Sequence, residues 1–413
     1  MKKFIFLITI TTQFLFAQNN QIKDYKNSHQ FNEMNNLNET TKTKDYSFYK
    51  AVYLNVTNKP EASLKQQLSK NNKHLKNTFD YTRLLNDNAI KAFDYQLANE
   101  TSKQLITTFA KDFNQKDLND EINNQRIWEV LINTPKQTFT PFKHTEIETK
   151  KDLAGLITLK AKHKDYASDF VFDTGAGLNC ITETQAKNFG IKILPDNNIE
   201  VESFTGQKNK VKIGIAENIS IGDITIKNSV FLVYPDEAFS FANGKYIING
   251  IIGFPIAKEL GTLTIEENKI TVSKEKQEYK LPKNLFIDQL RPIVVINYKG
   301  EKLPCNFDSG AESSQFTKSF YEKFKSYIDD NSTNQQVKST SAGAEVFEKE
   351  MKILTNEEIK IGNTTINLPE ITVDKNDFGV YGKVNYGNIG QDVLKQFKKV
   401  TISFDDNFLL LEN

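Results

Sequence analysis

Apolar residues along this chain follow two different periods, and the change falls near residue 140. Between Glu61 and Ile132 they recur at three- and four-residue intervals, as in Leu84, Leu85, Ile90, Phe93 and Leu97, or Leu105, Ile106, Phe109 and Phe113. That spacing lines one face of a helix. It predicts three to five helices packed as a small module over 61–140, the last closing at Trp128, Val130, Leu131 and Ile132 before Pro135. Past Pro141, short runs of Ile, Val, Phe, Leu and Thr alternate with Gly, Asn, Asp and Lys, a texture of strands and turns. Strands are predicted at Leu153–Lys160, Phe170–Phe172, Lys210–Ile215, Ile219–Ile221, Ile224–Val233, Leu263–Ile265 and Lys269–Val272. A second set is predicted at Ile293–Tyr298, Leu303–Phe307, Glu358–Ile361, Thr364–Val373, Val400–Phe404 and Phe408–Leu411, with a helical pattern at Lys318–Ile328. Residues 18–60, rich in Asn, Gln, Lys and Thr and weak in periodicity, read as a polar leader with little local structure.

The N-terminus adds an address. Lys2 and Lys3 precede a mostly apolar run, Phe4 to Phe16, and Ala17 offers a small residue for cleavage before Gln18. This predicts a signal peptide over 1–17 and an exported protein, periplasmic or extracellular. The run is shorter than the roughly 20 apolar residues of a bilayer span, so no membrane span is expected after its removal. Charge is balanced, with 53 Lys and Arg against 52 Asp and Glu, which gives no electrostatic reason to expect nucleic acid. At 413 residues the chain has room for two or three cores, and thirty phenylalanines to fill them. Its two cysteines, Cys180 and Cys305, read as buried thiols, with oxidation to a pair as the alternative. His29, His74, His144 and His163 are scattered without metal-ligand spacing, so neither metal nor cofactor is expected.

An internal repeat carries more information than any single motif. Phe170-Val171-Phe172-Asp173-Thr174-Gly175-Ala176 is matched by Cys305-Asn306-Phe307-Asp308-Ser309-Gly310-Ala311. Ile219-Ser220-Ile221-Gly222 is matched by Ile359-Lys360-Ile361-Gly362, and Gly250-Ile251-Ile252-Gly253 by Gly387-Asn388-Ile389-Gly390. Each half then ends in a Thr-rich hairpin, Thr262–Val272 and Thr401–Leu411. Three landmarks in one order at nearly constant offset predict a duplicated unit, spanning 146–277 and 283–413.

Asp-Thr/Ser-Gly-Ala at the end of an apolar strand fixes a carboxylate on a rigid element. The hydroxyl residue can bond across to a facing backbone, and glycine lets an N–H come close to the carboxylate. Two such turns face to face put two carboxyls in one site, where like charge holds one proton between them. A water between them can be deprotonated by one carboxylate while the other acid protonates a developing oxyanion. Ser309 lacks the Gly-x-Ser-x-Gly surroundings and the placed His of a serine nucleophile.

These two motifs, each followed about 80 residues on by an apolar-apolar-Gly or polar-apolar-Gly turn, resemble the retropepsin and pepsin clan of aspartic peptidases. The resemblance covers roughly residues 146–413. It implies a mainly β fold of two related retropepsin-like β-barrel lobes in one chain, here preceded by the helical module. It implies an aspartic endopeptidase acting on peptide or protein substrate, with Asp173 and Asp308 as the dyad. Thr174 and Ser309 become the hydroxyl bridge, Gly175 and Gly310 the turn, and Gly253 and Gly390 the support of the active-site loop. Ala176 and Ala311 look like the retropepsin form. The sequence departs from the clan at Gly177 and Glu312, where Ser or Thr is usual, and no pepsin flap tyrosine is visible. Flap candidates by position are Phe204, Thr205 and Gly206 in the first half and Ala342, Gly343 and Ala344 in the second. Alanines 176 and 311 cannot donate a side-chain hydrogen bond to the dyad, which predicts a mildly acidic to near-neutral optimum. Two alternatives stand beside the peptidase: a catalytically silent peptide-binding relative, and a scaffold acting through a helical module that binds substrate or a partner protein.

Overall fold

The computed structural model describes residues 17–202, 208–275, 281–340, 346–376 and 385–413. The chain is mainly β, with an N-terminal helical region. Residues 1–16 of the expected signal lie outside the described set. Among the described residues no helix is long and apolar enough to cross a membrane.

The helical region starts earlier than the polar texture of 18–60 suggests. Helices run over α1 (17–27), α2 (Phe31–Thr41), α3 (Tyr46–Val56), α4 (Pro60–Gln67), α5 (Phe79–Lys91), α6 (Tyr95–Thr108) and α7 (Gln115–Leu131). The expected weak local structure over 18–60 is therefore corrected to helix. Few apolar residues suffice, because Ile22, Met34, Phe48, Tyr49 and Val52 all pack with Tyr81 and Leu84 in one cluster. Part of the remaining interior is a chain of amides that bond to one another. Asn55 Nδ2 donates to Asn88 Oδ1 at 2.8 Å, Asn88 Nδ2 to Gln67 Oε1 at 3.0 Å, and Gln67 Nε2 to the Tyr81 carbonyl at 2.7 Å. Such a closed network costs little to bury. Three helix starts are capped as their sequences suggest, by Thr78, Asp94 and Asn114.

The β region repeats one plan twice. In the first half the strands are β1 (Ile157–His163), β2 (Tyr166–Phe172), β3 (Asn179–Thr182), β4 (Lys208–Ile221), β5 (Ile224–Tyr234) and β6 (Gly250–Ile252). In the second they are β7 (Arg291–Tyr298), β8 (Glu301–Phe307), β9 (Gln315–Phe316), β10 (Val346–Ile361), β11 (Thr364–Val373) and β12 (Gly387–Ile389). Hydrogen-bonded neighbours run β1–β2–β6–β3–β5–β4, and β4 pairs again with β1 through Ala161↔Ile221. The second half runs β7–β8–β12–β9–β11–β10, and β10 pairs again with β7 through Ile296↔Ile361. The terminal hairpins of the two halves join directly, Thr262–Glu266 lying antiparallel to Lys399–Ser403.

Two local expectations change. The strand expected from Leu153 begins at Ile157, after a turn in which Asp152 Oδ1 accepts from the Ala154 and Leu156 amides. The helical pattern at Lys318–Ile328 is two short helices, Lys318–Lys323 and Lys325–Asn331.

The helical region is seated on both halves. Lys91, with no exposed side-chain surface, reaches Asp87 Oδ2 at 2.9 Å and Asn55 Oδ1 at 2.6 Å within its own region. It also donates to the Ile287 carbonyl of the second half at 3.0 Å. Lys258 of the first half, equally buried, donates to the Lys91 carbonyl at 2.9 Å and pairs with Glu259. Phe31 packs on Phe286, ring centroids 5.3 Å apart.

Candidate active site

Each candidate aspartate follows the last residue of a buried strand. Phe170, Val171 and Phe172 of β2 are buried, as is Phe307 of β8. A strand from later in each half then slides in parallel alongside. β6 pairs with β2 at Ile252↔Phe172, and β12 with β8 at Ile389↔Phe307. As a result the Asp173 amide donates to the Ile252 carbonyl at 3.0 Å and the Asp308 amide to the Ile389 carbonyl at 2.9 Å. The backbone of the parallel neighbour thus holds each aspartate in place.

The turns after them interlock across the two halves. Thr174 Oγ1 donates to the Phe307 carbonyl at 3.0 Å and accepts from the Ser309 amide at 3.0 Å. Ser309 Oγ donates to the Phe172 carbonyl at 2.9 Å and accepts from the Thr174 amide at 3.0 Å. Thr174 and Ser309 are fully buried, so all four bonds lie away from water. Ser309→Ala leaves the Thr174 amide and the Phe172 carbonyl unpaired, at about 1–3 kcal/mol each. A loss of roughly 2–6 kcal/mol in denaturant-unfolding stability is expected, and a change below about 0.5 kcal/mol would contradict this account.

The interlock brings the two carboxyls together. A Cβ on Gly175 would sit 2.4 Å from Asp308 Cγ, and one on Gly310 2.2 Å from Asp173 Cγ. Each glycine is thus the floor of the opposite carboxyl, a place no side chain can occupy. Gly175 N–H donates to Asp173 Oδ1 at 2.7 Å, with Ala176 N–H adding a second bond at 3.2 Å. Gly310 N–H donates to Asp308 Oδ1 at 3.0 Å. Burial and the neighbouring Asp308 charge together hold the Asp173 carboxyl well above the usual carboxylate range.

Gly253 and Gly390 stand behind the two turns. A Cβ on Gly253 would meet the Ala176 and Leu178 carbonyls at 2.8 Å, and one on Gly390 the Ala311 carbonyl at 2.9 Å. The backbone just past each glycine binds the same loop: Phe254 N–H to the Ala176 carbonyl at 2.8 Å, and Gln391 N–H to the Ala311 carbonyl at 2.9 Å.

The sequence reading missed several residues that complete this frame. Asn179 Oδ1 accepts from the Gly253 amide at 2.8 Å, and Ser314 Oγ accepts from the Gly390 amide at 2.9 Å. Both stand at the same step beyond their aspartate, a signal available from aligning the two halves. Gln391 Nε2 donates to the Ser309 carbonyl at 2.7 Å. Asn388 Nδ2 donates to Asp308 Oδ2 at 3.1 Å, and its counterpart in the first half is Ile251.

Residues 159–256 match the aspartyl protease family. The first half therefore carries an aspartyl-protease-like segment that includes Asp173, Thr174, Gly175 and Gly253. No curated protein matches the chain. Among solved structures it is similar to conglutin gamma, described as a unique basic 7S globulin from lupine seeds. That likeness is 8% in identity with a TM-score of 0.39, covering 65% of this chain and 94% of the other.

The flap candidates Phe204, Thr205, Gly206, Ala342, Gly343 and Ala344 lie outside the described residues. Their hairpin stems are described. Ile199–Glu202 pairs with Lys208–Val211, and Thr333–Thr340 with Val346–Ile353. The first stem rests on α7, where Lys116 reaches Glu202 at 2.9 Å and Asn123 Oδ1 accepts from the Glu200 amide at 2.9 Å. Cys180 and Cys305 are buried and unpaired. Burial first, and then nearby Asp173, pushes the Cys180 thiol up and keeps it neutral. Glu312 is exposed. No cluster of three or more His, Cys, Asp or Glu that could hold a metal occurs among the described residues.

Proposed function

We propose that this chain is an aspartic endopeptidase in which Asp173 and Asp308 share one proton and activate a water against a peptide carbonyl. The observation that carries this reading is the interlocked pair of turns that holds the two carboxyls against each other's glycine. That arrangement fixes two acids in one place, which suits general acid–base hydrolysis. The two closed cycles of strand pairing support a single-chain, two-lobe retropepsin-like form with the site at the lobe junction. The basic and apolar residues of 1–17 support export to the periplasm or beyond.

In this reading the helical region is seated on the enzyme as a strut. Its buried Lys91 and Lys258 links to both halves are those of a permanent part. A propeptide role would require its removal near residues 140–150, which intact-mass analysis of the exported protein would reveal.

Cleavage profiling on a diverse peptide pool, with pepstatin and the two aspartate variants as controls, tests the function. Absence of cleavage by the wild type across that pool would overturn the peptidase reading and leave the silent peptide-binding relative and the helical scaffold. The pH profile is a second test. Activity needs one proton on the pair, and the upward displacement of Asp173 extends that state to higher pH. The expected optimum is mildly acidic to near neutral; a peak below about pH 3, under the ordinary carboxyl value, would rule this out.

A further inference from the structure

The two halves flank their aspartates with different chemistry at equivalent positions. Beside Asp173, Ile251 of β6 is registered with Val171 on one side and Cys180 on the other. Beside Asp308, Asn388 of β12 is registered with Asn306 and Gln315. The strand row beside one carboxyl thus carries two aliphatic residues and a neutral thiol, and the row beside the other carries three amides, of which Asn388 touches Asp308. Asn385 Nδ2 donates to Asn306 Oδ1 at 2.8 Å, which ties the amide side into the turn before β12.

The donors on the carboxyls follow this difference. Both N–H groups that reach Asp173 end on Oδ1, and among the described residues no N–H donates to its Oδ2. Asp308 receives Gly310 N–H on Oδ1 and the Asn388 amide on Oδ2, so both of its oxygens are occupied as acceptors. The amide on Asp308 Oδ2 therefore adds a donor that favours its charged form, and Asp173 Oδ2 has no such N–H among the described residues. Amide donors favour a charged carboxylate, and apolar walls favour a neutral acid. Asp308 is the charged neighbour that acts on Asp173, and the Cys180 thiol near Asp173, which interacts with Tyr234, is kept uncharged by burial.

Building on the peptidase reading, we infer that Asn388 is a positioning residue that breaks the symmetry of the pair, placing the shared proton on Asp173 and leaving Asp308 as the base. Asp308 then takes the proton from the attacking water, and Asp173 gives its proton to the carbonyl oxygen as that oxygen becomes an alcohol. After attack each carboxyl has changed state, and the proton now on Asp308 is available for the leaving amine. Atoms and charge balance without any further reactant.

The test uses the full-length protein and two readouts. Asn388→Ile installs the residue that the first half already accommodates at this place, and Ile251→Asn supplies the reverse change. In wild-type protein, site-resolved carboxyl carbon NMR at mildly acidic pH is expected to find Asp308 as carboxylate and Asp173 as acid. The aspartate signals are assigned by their loss in Asp173→Asn and Asp308→Asn. In Asn388→Ile the difference between the two signals is expected to shrink or vanish. The reverse assignment in wild type, or an undiminished difference in Asn388→Ile, overturns the inference whether or not the protein cleaves peptides. In the cleavage assay, the acidic limb of the kcat/KM profile of Asn388→Ile is expected to move up by about one to two pH units, the effect of one hydrogen bond to a charged group. KM at the optimum should change less than about twofold, since ground-state binding is left in place. A profile superimposed on the wild type, in an enzyme that both aspartate variants inactivate, defeats the role of Asn388 while the peptidase reading stands.

Discussion

Asp173→Asn and Asp308→Asn each lower kcat/KM by between about 10² and 10⁴-fold, the range expected when one member of an acid–base pair is lost. The fold should survive both changes. Asparagine keeps an oxygen for the Gly175 or Gly310 amide, and the Thr174–Ser309 interlock involves neither carboxyl. Stability should in fact move the other way for Asp173→Asn. Burial and the adjacent Asp308 raise the Asp173 carboxyl well above its unfolded value. The folded protein therefore binds more protons than the unfolded chain in the window between the two values, and wild-type stability falls as pH rises through it. Removing the ionisable group removes that loss. Asp173→Asn should melt higher than wild type at pH 7, and the gap should close as pH approaches about 4, near the unperturbed carboxyl value. Calorimetry across pH checks this. A variant that is inactive and also less stable at pH 7 would show that the carboxyl serves the fold rather than the chemistry.

The second large effect is expected far from the dyad. Lys91→Met should destabilise the protein by about 3–5 kcal/mol, the usual cost of breaking one side of a buried ion pair. Lys91 has no exposed side-chain surface, and its loss strands Asp87 and the Ile287 carbonyl together. Burial above all, with the Lys258 charge adding to it, drives the lysine's proton affinity down, and Asp87 and Asp288 oppose that shift. Methionine fits the volume but supplies none of the three bonds. Denaturant unfolding provides the measurement. A loss under about 1 kcal/mol, the level of an exposed pair, would mean that the seat of the helical region on the β halves adds little.

The duplicated Asp-Thr/Ser-Gly-Ala and Gly-x-Ile-Gly landmarks were readable in sequence because each rests on local geometry that few residue types can supply. Strand termini preceding Asp173 and Asp308, and the glycine behind each turn, followed from that. The helices over 18–60 were not readable. Their interior is built from Asn38, Asn55, Asn72 and Asn88 alongside a thin set of apolar residues, so the amphipathic stripe that marks a helix is faint. Asn179 and Ser314 escaped for another reason. They act by accepting from Gly253 and Gly390, which are more than seventy residues away, and no local pattern encodes such a bond. Asn388 stood only as the variable position of a repeated landmark; its contact with Asp308 emerges only once β12 is laid beside β8. Long β4 was anticipated in two pieces and β10 only at its end, Glu358–Ile361, because charged residues such as Glu217 and Glu348 sit in exposed positions within continuous strands.

The contacts of Lys91 bear on how a substrate could enter. One buried ammonium touches the helical region and the second half, and the carbonyl of the same residue is held by Lys258 of the first. Rocking the halves apart like a hinged shell would pull charged groups out of their partners in a dry interior. In the peptidase reading, a polypeptide would therefore have to reach the dyad without the two halves parting.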